Sequence, residues 1–115
     1  MKKEIIQELY NGFEAAAVEV EDVECWSARE LQLLLGYSKW ENFSKVIDKA
    51  KTACGIAGYL VSDHFPDVRK MVHLGSGSER EIDDILLTRY ACYLIAQNGD
   101  PRKEQIAFAQ TYFAI

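Results

Sequence analysis

No run in the 115 residues approaches the ~18 consecutive apolar positions that a membrane-spanning helix requires, so no span is expected. Metal-binding and catalytic signatures are missing as well. His64 and His73 have no clustered cysteine or helical partner, and neither CxxC nor HExxH occurs, which argues against a metal site. There is no GxSxG, no P-loop and no GxGxxG. Gly75-Ser76-Gly77-Ser78 is Gly-rich, but no phosphate-binding lysine follows it in motif position, so it reads as a flexible tip. The chain is therefore expected to be no enzyme and to need no cofactor. Cysteine is scarce: Cys25, Cys54 and Cys92 are odd in number, widely spaced and set in apolar surroundings. They read as reduced core thiols of a cytoplasmic protein. The N-terminus turns polar too soon for a signal peptide.

Positive charge is also in short supply. The net charge of −5 argues against a generic nucleic-acid glove, which would be basic overall. Residues 1–35 carry three basic and eight acidic side chains, residues 36–80 seven and five, and residues 81–115 three and five. The balances of −5, +2 and −2 leave only a slightly basic middle. Apolar content of 49% is too high for disorder, and the length suits one domain with a real core.

What is present reads as an α+β chain, mainly helical, with small antiparallel hairpins. Residues 2–14 place Ile5, Ile6, Leu9, Tyr10 and Phe13 at helical spacing, with Asn11-Gly12 weakening the last turn. Residues 17–26 suggest a hairpin around Glu21-Asp22. Ser27-Ala28-Arg29-Glu30 is a capping box, with Trp26 and Leu31 at staple positions, and Gly36 stops the helix it starts. Ser38-Lys39-Trp40-Glu41 repeats the device. The following helix aligns Trp40, Phe43, Val46, Ile47, Ala50, Ala53 and Cys54 on one stripe and ends at Gly55 or Gly58. This helix pair has the outline of a helix-turn-helix. A second hairpin is expected over Met71–Leu74 and Ile82–Leu87, its second strand shortened because Asp83-Asp84 spoil the alternation.

Thr88 is placed to cap the penultimate helix. Asn98-Gly99 would end that helix through residues tolerant of positive φ, with Asp100 capping the last helix and Pro101 at its first position. The last helix carries apolar residues almost all round towards Tyr112-Phe113-Ala114-Ile115, without a basic last turn or a polar tail. This reads as a single domain over 1–115, the N-terminal fragment of a longer protein. Tyr112, Phe113 and Ile115 are then candidates for a partner or self-association interface.

Candidate nucleic-acid contacts are Lys45 and Lys49, with Lys51, on the second capped helix, Arg69 and Lys70 before the second hairpin, and Arg80 on its tip. Arg102 and Lys103 add charge beside the Gly99 turn. Glu41 precedes Lys45 by four residues, the orientation that favours a helix-surface ion pair. A mobile Gly/Ser tip bearing arginine suits contact with a phosphate or a groove.

Trp26-Ser27-Ala28-Arg29-Glu30-Leu31, Leu34-Leu35-Gly36-Tyr37-Ser38 and Asp63-His64-Phe65 resemble the opening of the DNA damage-inducible protein D (DinD) family. So do Arg89-Tyr90-Ala91-Cys92-Tyr93-Leu94 and Gln97-Asn98-Gly99-Asp100-Pro101, running on to Gln110-Thr111-Tyr112-Phe113-Ala114-Ile115. The resemblance covers roughly residues 25–115. It implies a bacterial cytoplasmic protein of the SOS response, longer than this chain, whose N-terminal part is similar to the Bro-type (Bro-N) domain of phage and viral antirepressors. It further implies action against a RecA-type recombinase filament on single-stranded DNA, with no enzyme activity, metal or cofactor. The matching residues are mostly apolar, aromatic, glycine or cap residues, which specify a fold rather than a contact surface. Three readings follow: a non-enzymatic module acting on recombinase filaments, a direct DNA-binding or antirepressor-like domain, and a protein-interaction or oligomerisation module.

Overall fold

The computed structural model describes residues 1–115 as six helices and one four-stranded antiparallel sheet. Helix α1 (Lys3–Ala16) leads into strands β1 (Val18–Val20) and β2 (Val23–Ser27), then α2 (Ala28–Leu34) and α3 (Trp40–Ile56). A short α4 (Val61–His64) precedes β3 (Asp67–His73) and β4 (Glu79–Thr88), and α5 (Arg89–Gln97) and α6 (Glu104–Tyr112) finish the chain. The sheet order is β1-β2-β4-β3, so β4 runs through the centre and β3 forms an edge directly after Pro66.

Local sequence accounts for most of these elements. Glu21 and Asp22 both take positive φ, 50° and 66°, which turns β1 back onto β2. The Ser27 hydroxyl accepts from the Glu30 backbone N–H, and Thr88 caps α5 in the same way by accepting from Ala91. Gly36, at φ 80°, closes α2: its N–H bonds Leu33 and the Tyr37 N–H bonds Gln32, the paired pattern of a Schellman cap. Gly58, at φ 95°, closes α3 likewise, with bonds from Gly58 to Gly55 and from Tyr59 to Cys54. Gly58, and not Gly55, is therefore the stop.

The core gathers Phe13, Trp26, Leu31, Leu35, Phe43, Ile47, Leu87, Ile95, Ile106 and Phe113 between the helices and the inner sheet. Trp26 is fully buried, and its indole N–H donates to the Phe13 carbonyl at 2.9 Å. All three cysteines are buried and unpaired, and burial holds the Cys92 thiol well above its ordinary range, in its protonated form.

Several expectations are corrected. Asn11-Gly12 does not weaken α1, which continues to Ala16. The second capping box is absent: α3 starts after Lys39 with no side-chain cap. Strand β4 is not short but ten residues long, because Asp83 and Asp84 each find a partner within the sheet's surroundings. Helix α5 does end at Asn98, but not by the expected conformation, and the expected start of α6 at Asp100-Pro101 fails. Neither Asn98 nor Gly99 takes positive φ, and α6 begins only at Glu104, with Lys103 at its cap position. Asp100 instead accepts from the Arg102 N–H through its side chain and from the Lys103 N–H through its carbonyl, which makes a separate turn.

Candidate nucleic-acid interface

The basic residues singled out from the sequence do not form one patch. In the β3–β4 ladder Arg69 faces Asp83, Lys70 faces Ile82 and Val72 faces Arg80. Side chains alternate along a strand, so Lys70 and Arg80 share one face and Arg69 lies on the other. Arg69 is paired with Asp83 at 3.1 Å, and Lys70 with Glu30 of α2 at 3.8 Å. Arg80 is exposed and makes no ion pair. The hairpin also holds Asp67, Glu79, Glu81, Asp83 and Asp84, which outnumber its three strong bases.

Helix α3 is different. Lys45 and Lys49, one turn apart, are both exposed, and neither reaches a carboxylate; the Glu41–Lys45 pair that the spacing predicts does not form. The inner stripe of α3 (Phe43, Ile47, Ala50, Cys54) is buried, which fixes the lysine side outward. Lys39 is exposed just before the helix, and Lys51 is half-buried. Of the charged elements, α3 with its flanking Lys39 carries four bases against Glu41 and Asp48. With Lys39 counted, it has the largest positive excess of the helices.

Two arginines and a tryptophan matter here although the sequence did not single them out as contacts. The Arg29 guanidinium lies 3.7 Å from the Trp40 ring centroid, and its Nε–H donates to the Asp83 carbonyl. Arg89 donates to Glu24 and to the Tyr112 carbonyl, and lies 5.1 Å from both the Trp26 and the Tyr112 ring centroids. Arg29 and Trp40 sit in different helices and meet only in three dimensions, so spacing could not have paired them.

At the C-terminal end, Phe113 is core, Tyr112 is half-buried, and only Ile115 is fully open, at 91% exposure. The Tyr112 hydroxyl donates to Glu14 of α1. Burial, then that carboxylate, raises the Tyr112 phenol to about 12. The three residues thus divide between the fold and the surface. His64 Nδ1 lies 2.7 Å from the Thr88 hydroxyl that caps α5.

The BRO family N-terminal domain matches residues 15–114, which takes in the sheet and every helix after α1. DNA damage-inducible protein D of Escherichia coli (strain K12) is 49% identical over 102 residues, covering 89% of this chain and 37% of that protein. The chain thus spans little more than a third of the length of that curated relative. No solved structure gives a significant match. With nearly the whole α+β unit inside the matched region, the chain belongs to the BRO family through its N-terminal domain.

Proposed function

We propose that this domain is a non-catalytic module of the DNA-damage response that acts on recombinase filaments, touching their single-stranded DNA through the outer face of α3. The observation that carries the reading is the contrast in pairing: Arg69 and Lys70 are engaged by internal carboxylates, whereas Lys45 and Lys49 are exposed and free. Two free lysines on a chain of net charge −5 give weak phosphate attraction, which suits a contact made together with a protein surface. The name of the relative, DNA damage-inducible, supports the setting.

The test is fluorescence anisotropy with a labelled single strand, first with this domain alone and then with recombinase filaments preassembled on the strand. A change confined to the filament supports the proposal. Replacing Lys45 and Lys49 by Glu should weaken the response and flatten its dependence on the logarithm of salt by about 1.4, since each phosphate neutralised on a single strand contributes ~0.7 to that slope. An unchanged response in the folded double variant would remove α3 from the contact. The helix pair α2–α3, joined through the Gly36 cap, favours a second reading of autonomous DNA binding. Saturable, salt-sensitive binding by the domain alone would select it.

A further inference from the structure

On the other side of the sheet from Lys70, a cleft of about 440 Å³ opens between α3 and the β3–β4 ladder. Trp40 forms one wall, and Asp67, Val68, Arg69, Asp83, Asp84 and Ile85 complete it. The ladder register explains the arrangement. Asp67 pairs with Ile85 and Arg69 with Asp83, and side chains two apart share a face, so these four project together. The result is an aromatic wall, an apolar floor from Ile85, and a rim of two carboxylates, Asp67 and Asp83, around one guanidinium. Its volume lies within the range of small-molecule sites.

The rim decides the class of ligand. Two carboxylates, Asp67 and Asp83, against one lining arginine make the cleft itself unfit for a phosphate. Asp84 is already engaged by the Ser27 hydroxyl and by the Arg29 and Ile85 amides. Asp83 is not: its side chain is 82% exposed, and Arg69 occupies only one of its oxygens. An exposed pair of this kind is held weakly and yields to a better partner. Arg29 covers one face of the Trp40 ring and does not line the cleft. A flat wall beside a carboxylate with one open oxygen matches an unpaired base that stacks and offers two adjacent donors. Guanine does so through its N1–H and exocyclic amine. Thymine presents a single N–H between two carbonyls, which the carboxylate repels.

We propose that this cleft takes a splayed-out guanine of a single strand, stacked on Trp40, with the Asp83 oxygen that Arg69 leaves open accepting from its Watson–Crick edge. The inference deepens the reading of the domain as a module directed at single-stranded DNA and rests on it.

The test is NMR on the ¹⁵N-labelled domain titrated with deoxyguanosine monophosphate, thymidine monophosphate and deoxyribose 5-phosphate. The two indole N–H signals make an internal control, because Trp26 is buried and bonded to Phe13 whereas Trp40 lines the cleft. Saturable shifts of Trp40 and of the Asp83–Ile85 amides, at least about tenfold tighter for the guanine nucleotide than for thymidine, are expected. Asp83→Asn should abolish that preference and leave the fold intact. No saturable shift, or equal shifts from the base-free sugar phosphate, would overturn the proposal. A guanine-dependent shift alongside a silent filament assay would keep the cleft and refute the filament reading; the reverse pattern would keep the filament reading and refute the cleft.

Discussion

Adjacent Asp83 and Asp84 look interchangeable in the sequence and are opposites in the fold. Asp84 is 3% exposed and receives the Ser27 hydroxyl together with the Arg29 and Ile85 N–H groups, so it joins the start of α2 to the central strand. A buried carboxylate with three donors is stable only while all three remain. Asp84→Ala should therefore cost about 2–4 kcal/mol by urea unfolding, since it strands the buried Ile85 N–H and takes the acceptor from the half-buried Ser27 hydroxyl and Arg29 N–H. Asp83→Ala, at an exposed and weakly paired position, should stay within about 0.5 kcal/mol. Alternation along the strand cannot reveal this difference, because two of the three donors to Asp84, Ser27 and Arg29, lie more than fifty residues earlier. Gly99 conceals its role for a related reason. Its φ is ordinary, but an added Cβ would sit 2.9 Å from both Cδ1 and Cγ2 of Ile106. Space for the returning helix, not backbone freedom, requires the glycine. Gly99→Ala should destabilise by about 1–3 kcal/mol through overpacking.

Helix ends show which signals are local. The stops at Gly36 and Gly58 are readable because a left-handed cap needs only one residue type at one place. Substitution by Ala should cost about 1 kcal/mol at each, measured by chemical denaturation. At Gly36 the new methyl would meet only the flexible end of Gln105 at 3.2 Å, and at Gly58 it would meet nothing, so backbone strain dominates both. The starts divide differently. Ser27 and Thr88 cap because β2 and β4 deliver them in extended backbone at the sheet edge of their helices. Ser38 has the right chemistry but lies one residue too early, since Lys39 occupies the cap position of α3. Asp100 likewise bonds Arg102, which holds its carboxyl at about 2, and so serves a turn before α6 rather than the helix itself. The Arg29–Trp40 contact and the cleft beside it belong to no single element. The order of helices and hairpins could be read from local pattern; the surfaces formed between them could not.

The two ends of the chain pack on one another through an aromatic cluster. Phe13 of α1 stacks on Phe108 and Tyr112 and meets Phe113 edge-on, with centroids 5.2–5.6 Å apart. Arg89 ties the same aromatic cluster to Glu24 of the β1–β2 hairpin. Within this cluster the Tyr112 hydroxyl donates to Glu14, and a donor is what a phenolate ceases to be. Burial first, and the neighbouring carboxylate next, raise the Tyr112 phenol from its ordinary 10.0 to about 12. A group whose folded value lies above its unfolded value stabilises fully below the lower one. Its contribution is therefore intact below pH 10 and drains away as the pH rises towards 12. Melting curves from about pH 8 to 11.5 should show a fall above ~10, shared with Tyr10, Tyr37 and Tyr90, whose phenols are also raised. Tyr112→Phe should lose about 1 kcal/mol at about pH 8, some ~4 °C in Tm, by deleting one hydrogen bond. Its curve should then fall less steeply, so that the two proteins converge as the pH approaches about 11.5. Parallel curves would mean that Glu14 and Tyr112 are not coupled in solution and that aromatic packing alone joins α1 to the end of the chain.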